Sequence, residues 1–369
     1  MKKVAYISGN RADFNLMLKP LLELKKYVDL MIIATGMHFS DKWGTTIKEI
    51  EKYTFKMRKA DVNLQSGSLS NMTEALGLEI IKITKNIEDF RPDLILVEGD
   101  RGEALAGAII GAHLNIPVVH HGGGDLSDSI DNKIRFAITM FSDFHLTGNL
   151  ESYNRLIKMG IPKSNIFNVG EPGLDDIIAG NYTQKEEIRK KYGIDPNKPL
   201  LILIFHPNTK EFTSVENQIL EIMEAIKDLK IPTIGLYANA DAGGNVINKF
   251  LEEYQNKLPF LKLYKHFFRK DFYGLLGVCS GMLGNSSAGI TELVSFKKPF
   301  ICIGTRQKGR LKAENVIEVN YNKNEIINAV KKGLYDNKFK KKLENVKNPY
   351  GNGNSYLKIT DIILKILRD

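Results

Sequence analysis

Three consecutive glycines, Gly122 to Gly124, stand in the stretch VVHHGGGDLSDSID beside His120, His121, Asp125, Asp128 and Asp131. Bare glycines let a backbone approach a ligand closely. Flanking carboxylates and imidazoles then supply acid and base groups. Asp131 has an alternative duty as a cap for the helix beginning NKIRFAI. Metal ligation is disfavoured, because adjacent histidines rarely chelate from one strand. EGDRGEA places Asp100 just beyond the apolar run LILV, with helix capping as the structural alternative. SGNRADF places Arg11 after a glycine turn, where a cation and free N–H groups suit a phosphate. Its alternative is an exposed loop arginine with Asp13 as helix N-cap. FHPNT carries His206, and YANADAGG carries Asn239 and Asp241. GNSSAGITE opens a helix with Ser286, Ser287 and Gly289, which suits an anion. Glu292 then reads as a ribose acceptor, or as part of a capping box with a surface carboxylate. GTRQKGR adds Arg306 and Arg310.

Each of these motifs follows an expected strand, and that placement is the first reason to read them as functional. The expected strands of the first half are Val4–Ser8, Leu30–Ala34, Leu94–Val97, Val118–His120, Phe144–Thr147 and Phe167–Val169. Helices are expected over Phe14–Lys26, Asn71–Phe90, Glu103–His113 and Asp131–Phe141. The polar texture from Gly180 to Pro199 reads as a linker. Strands Leu200–Phe205, Thr233–Leu236, Gly281–Gly284 and Phe300–Ile303 follow. They alternate with helices Val215–Leu229, Val246–Gln255 and Ala288–Phe296, and Tyr356–Leu367 closes the chain. The fold class is therefore α/β: two doubly wound, Rossmann-like domains facing a cleft. The expected boundaries are 1–180 for a domain bearing the carboxylates and 181–355 for a nucleotide-binding domain. A C-terminal helix, 356–369, packs back on the first.

Composition narrows the function classes. Of 369 residues, 43% are hydrophobic and 26% charged, which excludes a disordered chain, a collagen and a coiled coil. No apolar run reaches the roughly 18 residues of a membrane span. Lys2 and Lys3 precede only five largely apolar residues, too few for a signal-peptide core. Cys279 and Cys302 read as buried thiols of a reducing cytoplasm. Net charge is +9, spread along the chain without interleaved aromatics, so nucleic acid is not an expected partner. A positive field would help attract an anionic small substrate.

With these motifs in order, the chain resembles the hydrolysing UDP-N-acetylglucosamine 2-epimerases of sialic-acid and legionaminic-acid synthesis. The likeness runs from NRADF through GDRGEALAGA, GGGDLSDSID, IRFAIT, FHPNT, NADAG, GNSSAGITE and GTRQKGR. It implies a glycosyltransferase-B-like fold, a cytoplasmic homodimer or homotetramer, and no cofactor or metal. It implies Asp100, Asp131, His206, Asp125 and His121 as catalytic residues. Substrate contacts fall to Arg11, Asp13, Asn239, Asp241, His266, Ser286, Ser287, Gly289, Glu292 and Arg306. Gly122 stands where the sialic-acid type has a glutamate, and Phe136 where the family usually has histidine. The implied reaction eliminates UDP from UDP-N-acetylglucosamine and hydrates the glycal to N-acetylmannosamine. UDP- or GDP-N,N'-diacetylbacillosamine is the alternative substrate. Epimerisation without hydrolysis and glycosyl transfer are the alternative reactions.

Overall fold

Val4 and Tyr6 face one side of the first strand while Ala5 and Ile7 face the other, and all four are buried. A strand apolar on both faces must lie inside a sheet covered on both sides. The computed structural model, which describes residues 1–39, 46–62, 69–239 and 241–368, shows that arrangement. It divides into two units. The first comprises Met1–Asp125, Ile130–Asp175 and Tyr350–Asp369; the second comprises Leu126–Ser129 and Asp176–Pro349. The chain passes between the units at 175 and 349, beside the expected bounds of 180 and 355, and the four residues Leu126–Ser129 belong to the second unit.

In the first unit the chain runs β1 (Lys3–Ser8), α1 (Arg11–Leu24), β2 (Asp29–Thr35), α2 (Ile47–Glu51), β3 (Lys56–Ala60) and α3 (Leu69–Phe90). It continues through β4 (Leu94–Glu98), α4 (Gly102–Leu114), β5 (Val118–His121), α5 (Ile130–Phe141), β6 (Phe144–Thr147), α6 (Leu150–Lys158) and β7 (Ile166–Asn168). The strands form one parallel sheet in the order β3-β2-β1-β4-β5-β6-β7. The direction of winding reverses between β1 and β4, and at such a switch point the loops part to leave a crevice. One core holds Tyr6, Ile32, Leu96 and Val119 under α1. The other holds Ile7, Ile33, Val97 and Val118 under α3 and α4. Helix α1 starts at Arg11, three residues before the expected start, because Asn10 caps it and Asp13 completes the capping box.

The region expected as a linker folds. After α7 (Gly173–Ile178) comes α8 (Lys185–Tyr192), whose one buried residue, Ile188, explains its polar texture. The second unit then runs β8 (Leu201–Ile204), α9 (Val215–Leu229), β9 (Thr233–Leu236), α10 (Gly244–Gln255), β10 (Leu261–Tyr264), α11 (Arg269–Val278) and β11 (Gly281–Gly284). It ends with α12 (Ala288–Thr291), β12 (Phe300–Ile303), β13 (Val316–Val319), α13 (Lys323–Tyr335) and α14 (Asn337–Glu344). Its parallel sheet has the order β10-β9-β8-β11-β12-β13, with the reversal between β8 and β11. The last helix, α15 (Ser355–Ile366), rejoins the first unit. Ile359, Ile363 and Leu367 enter the core beneath α1 at helical spacing. Asp175 fixes its start by accepting from the N–H groups of Ser355 at 2.8 Å and Tyr356 at 2.7 Å. Among the described residues no helix is long and apolar enough to cross a membrane.

Candidate functional site

In the first unit, the loops leaving β1, β4 and β5 meet at the switch point. Gly9 turns the chain after Ser8, and Arg11 opens α1. Burial lowers the Arg11 guanidinium from its ordinary value, with Glu49 as the opposing charge. Asp13 is buried and accepts from Ser8 Oγ, Gly9 N at 3.0 Å and Asn10 N at 2.9 Å. Its carboxylate therefore shapes the loop that presents Arg11. The N-cap is Asn10, not Asp13 as the structural alternative had it. His38 braces the same turn, with Nε2 2.8 Å from Ser8 Oγ and Nδ1 2.9 Å from Thr46 Oγ1. Burial drops its pKa to about 3.

Beyond β4, Asp100 pairs with Arg135 of α5. The same guanidinium donates from Nη1 to the Asp125 carbonyl at 3.0 Å. Arg135 thus ties Asp100 to the far end of the glycine loop, although its own side chain is 3% exposed. Asp125 is buried and accepts from Asn149 Nδ2 at 2.9 Å and from Ser152 Oγ. Asp131 lies in the first turn of α5, one residue past its start, so it does not occupy the cap position. Gly122 and Gly124 both have φ near +85°, a conformation that L side chains rarely adopt. A Cβ on Gly124 would also sit 2.6 Å from the Ser152 carbonyl.

The two adjacent histidines behave differently. His120 Nε2 lies 2.8 Å from the Gly99 carbonyl and Nδ1 3.3 Å from Thr139 Oγ1. Burial lowers its pKa to about 3, so it is a neutral latch between the β4 and β5 loops. His121 Nδ1 stands 3.8 Å from Glu98 Oε1. Burial acts to lower the His121 pKa, but Glu98 and Glu171 outweigh it and the net direction is up. Burial raises Glu98 as well, against the opposing pull of His121. The pair therefore keeps protons to higher pH than either group would in water. Glu98, Arg135 and His38 were not among the sequence candidates. Glu98 stood inside the quoted EGDRGEA, and its strand-end position was the available signal.

In the second unit, the switch point between β8 and β11 is tied by Asn285. It accepts from the His206 backbone N–H at 2.8 Å and donates back to the His206 carbonyl at 2.8 Å. Asn239 N donates to His206 Nδ1 at 3.1 Å, and Asn239 Nδ2 donates to Asp241 Oδ2 at 2.6 Å. The loop's Ala240 lies outside the described residues. Arg306 Nη1 donates to the Asn285 carbonyl at 3.1 Å. His206, Asn239, Asp241, Asn285 and Arg306 thus form one connected group. Ser286 and Ser287 precede α12, which is a single turn; the expected helix Ala288–Phe296 breaks at Glu292 into a 3₁₀ turn. Glu292 accepts from Thr291 Oγ1, and burial raises its pKa. No capping box forms there, since Ser287 makes no side-chain cap bond. Gly289 has a packing reason to be glycine, because a Cβ would lie 2.4 Å from the Phe300 ring. His266 packs edge-on against Phe268 beyond β10. Among the described residues no cluster of three or more His, Cys, Asp or Glu is arranged to hold a metal ion.

Comparison with known proteins gives concordant findings. A family model described as UDP-N-acetylglucosamine 2-epimerase matches residues 22–364. The chain is 37% identical over 356 residues to UDP-N,N'-diacetylbacillosamine 2-epimerase (hydrolyzing) of Legionella pneumophila, covering 96% of this chain and 93% of that one. It is 34% identical over 342 residues to UDP-N-acetylglucosamine 2-epimerase of Neisseria meningitidis serogroup B, covering 92% and 89%. Its fold is similar to the crystal structure of a UDP-GlcNAc 2-epimerase from Neisseria meningitidis bound to UDP-GlcNAc. The TM-score is 0.82 at 20% identity, over 98% of this chain and 100% of that one.

Proposed function

The chain belongs to the UDP-N-acetylglucosamine 2-epimerase family, and from that premise we propose that it is a hydrolysing 2-epimerase. It takes UDP-N-acetylglucosamine and releases UDP and N-acetylmannosamine. The observation that carries the reading is the group of ionisable residues around the β4 and β5 loops: Asp100 with Arg135, and Glu98 with His121. The C2 proton of the sugar is not acidic, so departure of UDP runs ahead. The C1–O bond breaks with both electrons going to the diphosphate, and positive charge grows at C1. A carboxylate stabilises that charge and takes the C2 proton, forming the C1=C2 bond. Water then adds its hydroxyl at C1, and an acid returns a proton to the opposite face of C2. Asp100 and Asp131 are assigned to these proton transfers, and Arg11 to the growing diphosphate charge. In the second unit, Arg306 and the Ser286–Ser287 backbone are assigned to the nucleotide phosphates, and Glu292 to its ribose. The same reading has the protein acting as a homodimer or homotetramer in the cytoplasm, which light scattering and fractionation test.

A second substrate reading, UDP-N,N'-diacetylbacillosamine, is favoured by the 37% identical Legionella relative, which bears that substrate in its name. The deciding experiment incubates the protein with each nucleotide sugar alone, in heavy water. Free UDP with a free 2-epimerised sugar carrying one deuterium at C2 is the expected result. Two interconverted UDP-sugars mark the non-hydrolysing reaction, and retained protium at C2 excludes elimination.

A further inference from the structure

We propose that Glu98 exchanges a proton with the sugar at C2, standing over the bare backbone of Gly122 with His121 as its positioning residue. The inference rests on the 2-epimerase reading and gives Glu98 one of the two proton transfers that this reading shares between Asp100 and Asp131. Glu98 ends β4 and His121 ends β5, and the two are paired in the sheet register. The next residues, Gly99 and Gly122, carry no side chains and have φ of +81° and +84°. A Cβ built on Gly122 would lie 3.6 Å from Gly99 Cα and 3.7 Å from Glu98 Oε1. Two uncovered glycines therefore flank this carboxylate.

Three other carboxylates of the loop cluster are occupied. Asp13 holds the Ser8–Asn10 turn, Asp125 accepts from Asn149 and Ser152, and Asp100 is paired with Arg135. Glu98 is different: among the described residues no donor lies within hydrogen-bond distance of it, and its side chain is 14% exposed. The His121 imidazole is fully buried, and its Nδ1 has no hydrogen-bond partner but faces the Glu98 carboxylate at 3.8 Å. Burying an imidazole nitrogen and a carboxylate without closing a hydrogen bond between them destabilises the fold. Such an arrangement is typical of a site that completes itself on a ligand. Further titratable and charged groups act on Glu98: Tyr6 of β1, Asp13 of α1, Asp100 on its own loop and Arg135 of α5. Glu171 acts on His121. Burial and the carboxylates favour the protonated acid, His121 and Arg135 favour the anion, and the net direction is up.

The step balances in either direction. In elimination the Glu98 carboxylate takes the C2 proton as the C1–O electron pair leaves with UDP. In hydration the Glu98 carboxylic acid gives its proton to C2 as water supplies hydroxyl to C1.

The test compares wild type with Glu98→Gln, following UDP, free sugar and the 1,2-unsaturated glycal. Glu98→Gln is expected to lower kcat by about 10²-fold or more, with KM changed by less than about threefold. Loss of UDP release places Glu98 in elimination, and release of UDP with accumulating glycal places it in hydration; both bear the inference out. The pH dependence of kcat in the wild type should lose a limb in the variant. If Glu98→Gln does not fold, Glu98→Asp keeps the charge beside His121 but withdraws the carboxyl by a methylene. It should melt like wild type and lose more than about tenfold in kcat, since misplacement near 1 Å is that costly. A folded variant with wild-type kcat and pH profile overturns the inference while leaving the 2-epimerase reading intact. A wild type inert on both nucleotide sugars overturns the reading and this inference together.

Discussion

Asp100 and Asp125 read alike in the sequence, as aspartates flanking glycines, but the structure separates them. Asp100 is partly exposed and pairs with a guanidinium that itself is anchored on the Asp125 carbonyl. Asp125 is buried with one oxygen accepting two hydrogen bonds. A carboxylate paired with Arg135 at a loop mouth can face a ligand, whereas one held by the start of α6 chiefly fastens its loop to that helix. The two substitutions should therefore fail in different assays. Asp100→Asn keeps the shape, loses the base, and is expected to lower kcat by about 10²-fold or more while still folding, with some loss of melting temperature from the weakened Arg135 pair. Asp131→Asn, in the first turn of α5, should lower kcat to the same extent. Asp125→Asn leaves Ser152 and Asn149 facing a weaker, partly mismatched acceptor, and should cost about 1–3 kcal/mol of stability. Steady-state kinetics beside thermal melts distinguishes the outcomes, and an Asp125→Asn protein that melts normally but is inactive would return Asp125 to the chemistry. Arg135 shows why side-chain partners escape a sequence reading. An arginine within an amphipathic helix reads as surface, and only the fold reveals that its guanidinium is buried between two loops.

At the scale of elements, the central strands were legible because they are apolar on both faces. β1, β2, β4, β8 and β12 are nearly continuous hydrophobic runs, as parallel strands covered on both sides must be. β3, β10 and β13 were not legible, and the reason is their place at or near the sheet edges. β3 is the charged run KMRKA, largely exposed, and β13 has no fully buried residue. Such strands carry little periodicity for a pattern to find. The same logic hid α8, a mostly polar helix with one buried residue. The glycine loop was legible as a loop, but its reason is geometric. Gly124 combines φ of +85° with a neighbouring carbonyl 2.6 Å from any added Cβ. Gly124→Ala must both strain the backbone and push Ser152 away, moving the start of α6 and the Asn149–Asp125 bond with it. A loss of at least about 1–2 kcal/mol is expected from the positive φ alone. Urea unfolding checks it, and a variant as stable as wild type would show that the loop relaxes freely.

Across the first unit as a whole, buried histidines make stability depend on pH in a direction that can be worked out. His38 and His120 have pKa values lowered to about 3, and His145 to about 4, each by burial. In the unfolded chain a histidine titrates near 6.5. Above that pH both states are neutral and the groups contribute no pH dependence. As pH falls below 6.5 the unfolded chain takes up protons that the folded one refuses, so stability is lost progressively down to about 3–4. Buried carboxylates act oppositely: burial raises Asp13 and Glu79, so their contribution is present at low pH and is lost as pH rises through their folded values. The wild-type profile mixes the two, and a difference profile isolates one group. In His38, Ser8 Oγ donates to Asp13, so the imidazole donates from Nε2 to Ser8 and accepts at Nδ1 from Thr46. Glutamine offers one donor and one acceptor but cannot take up a proton. His38→Gln should lower stability at pH 7, because a flexible amide fills the buried ring's place imperfectly. Between pH 7 and pH 5 the wild type should then lose about 2 kcal/mol relative to the variant, the linkage expected because pH 5 lies about 1.5 below the unfolded pKa and still above the folded one. Urea unfolding of both proteins at the two pH values measures it, and parallel profiles would mean that His38 titrates normally in the folded chain.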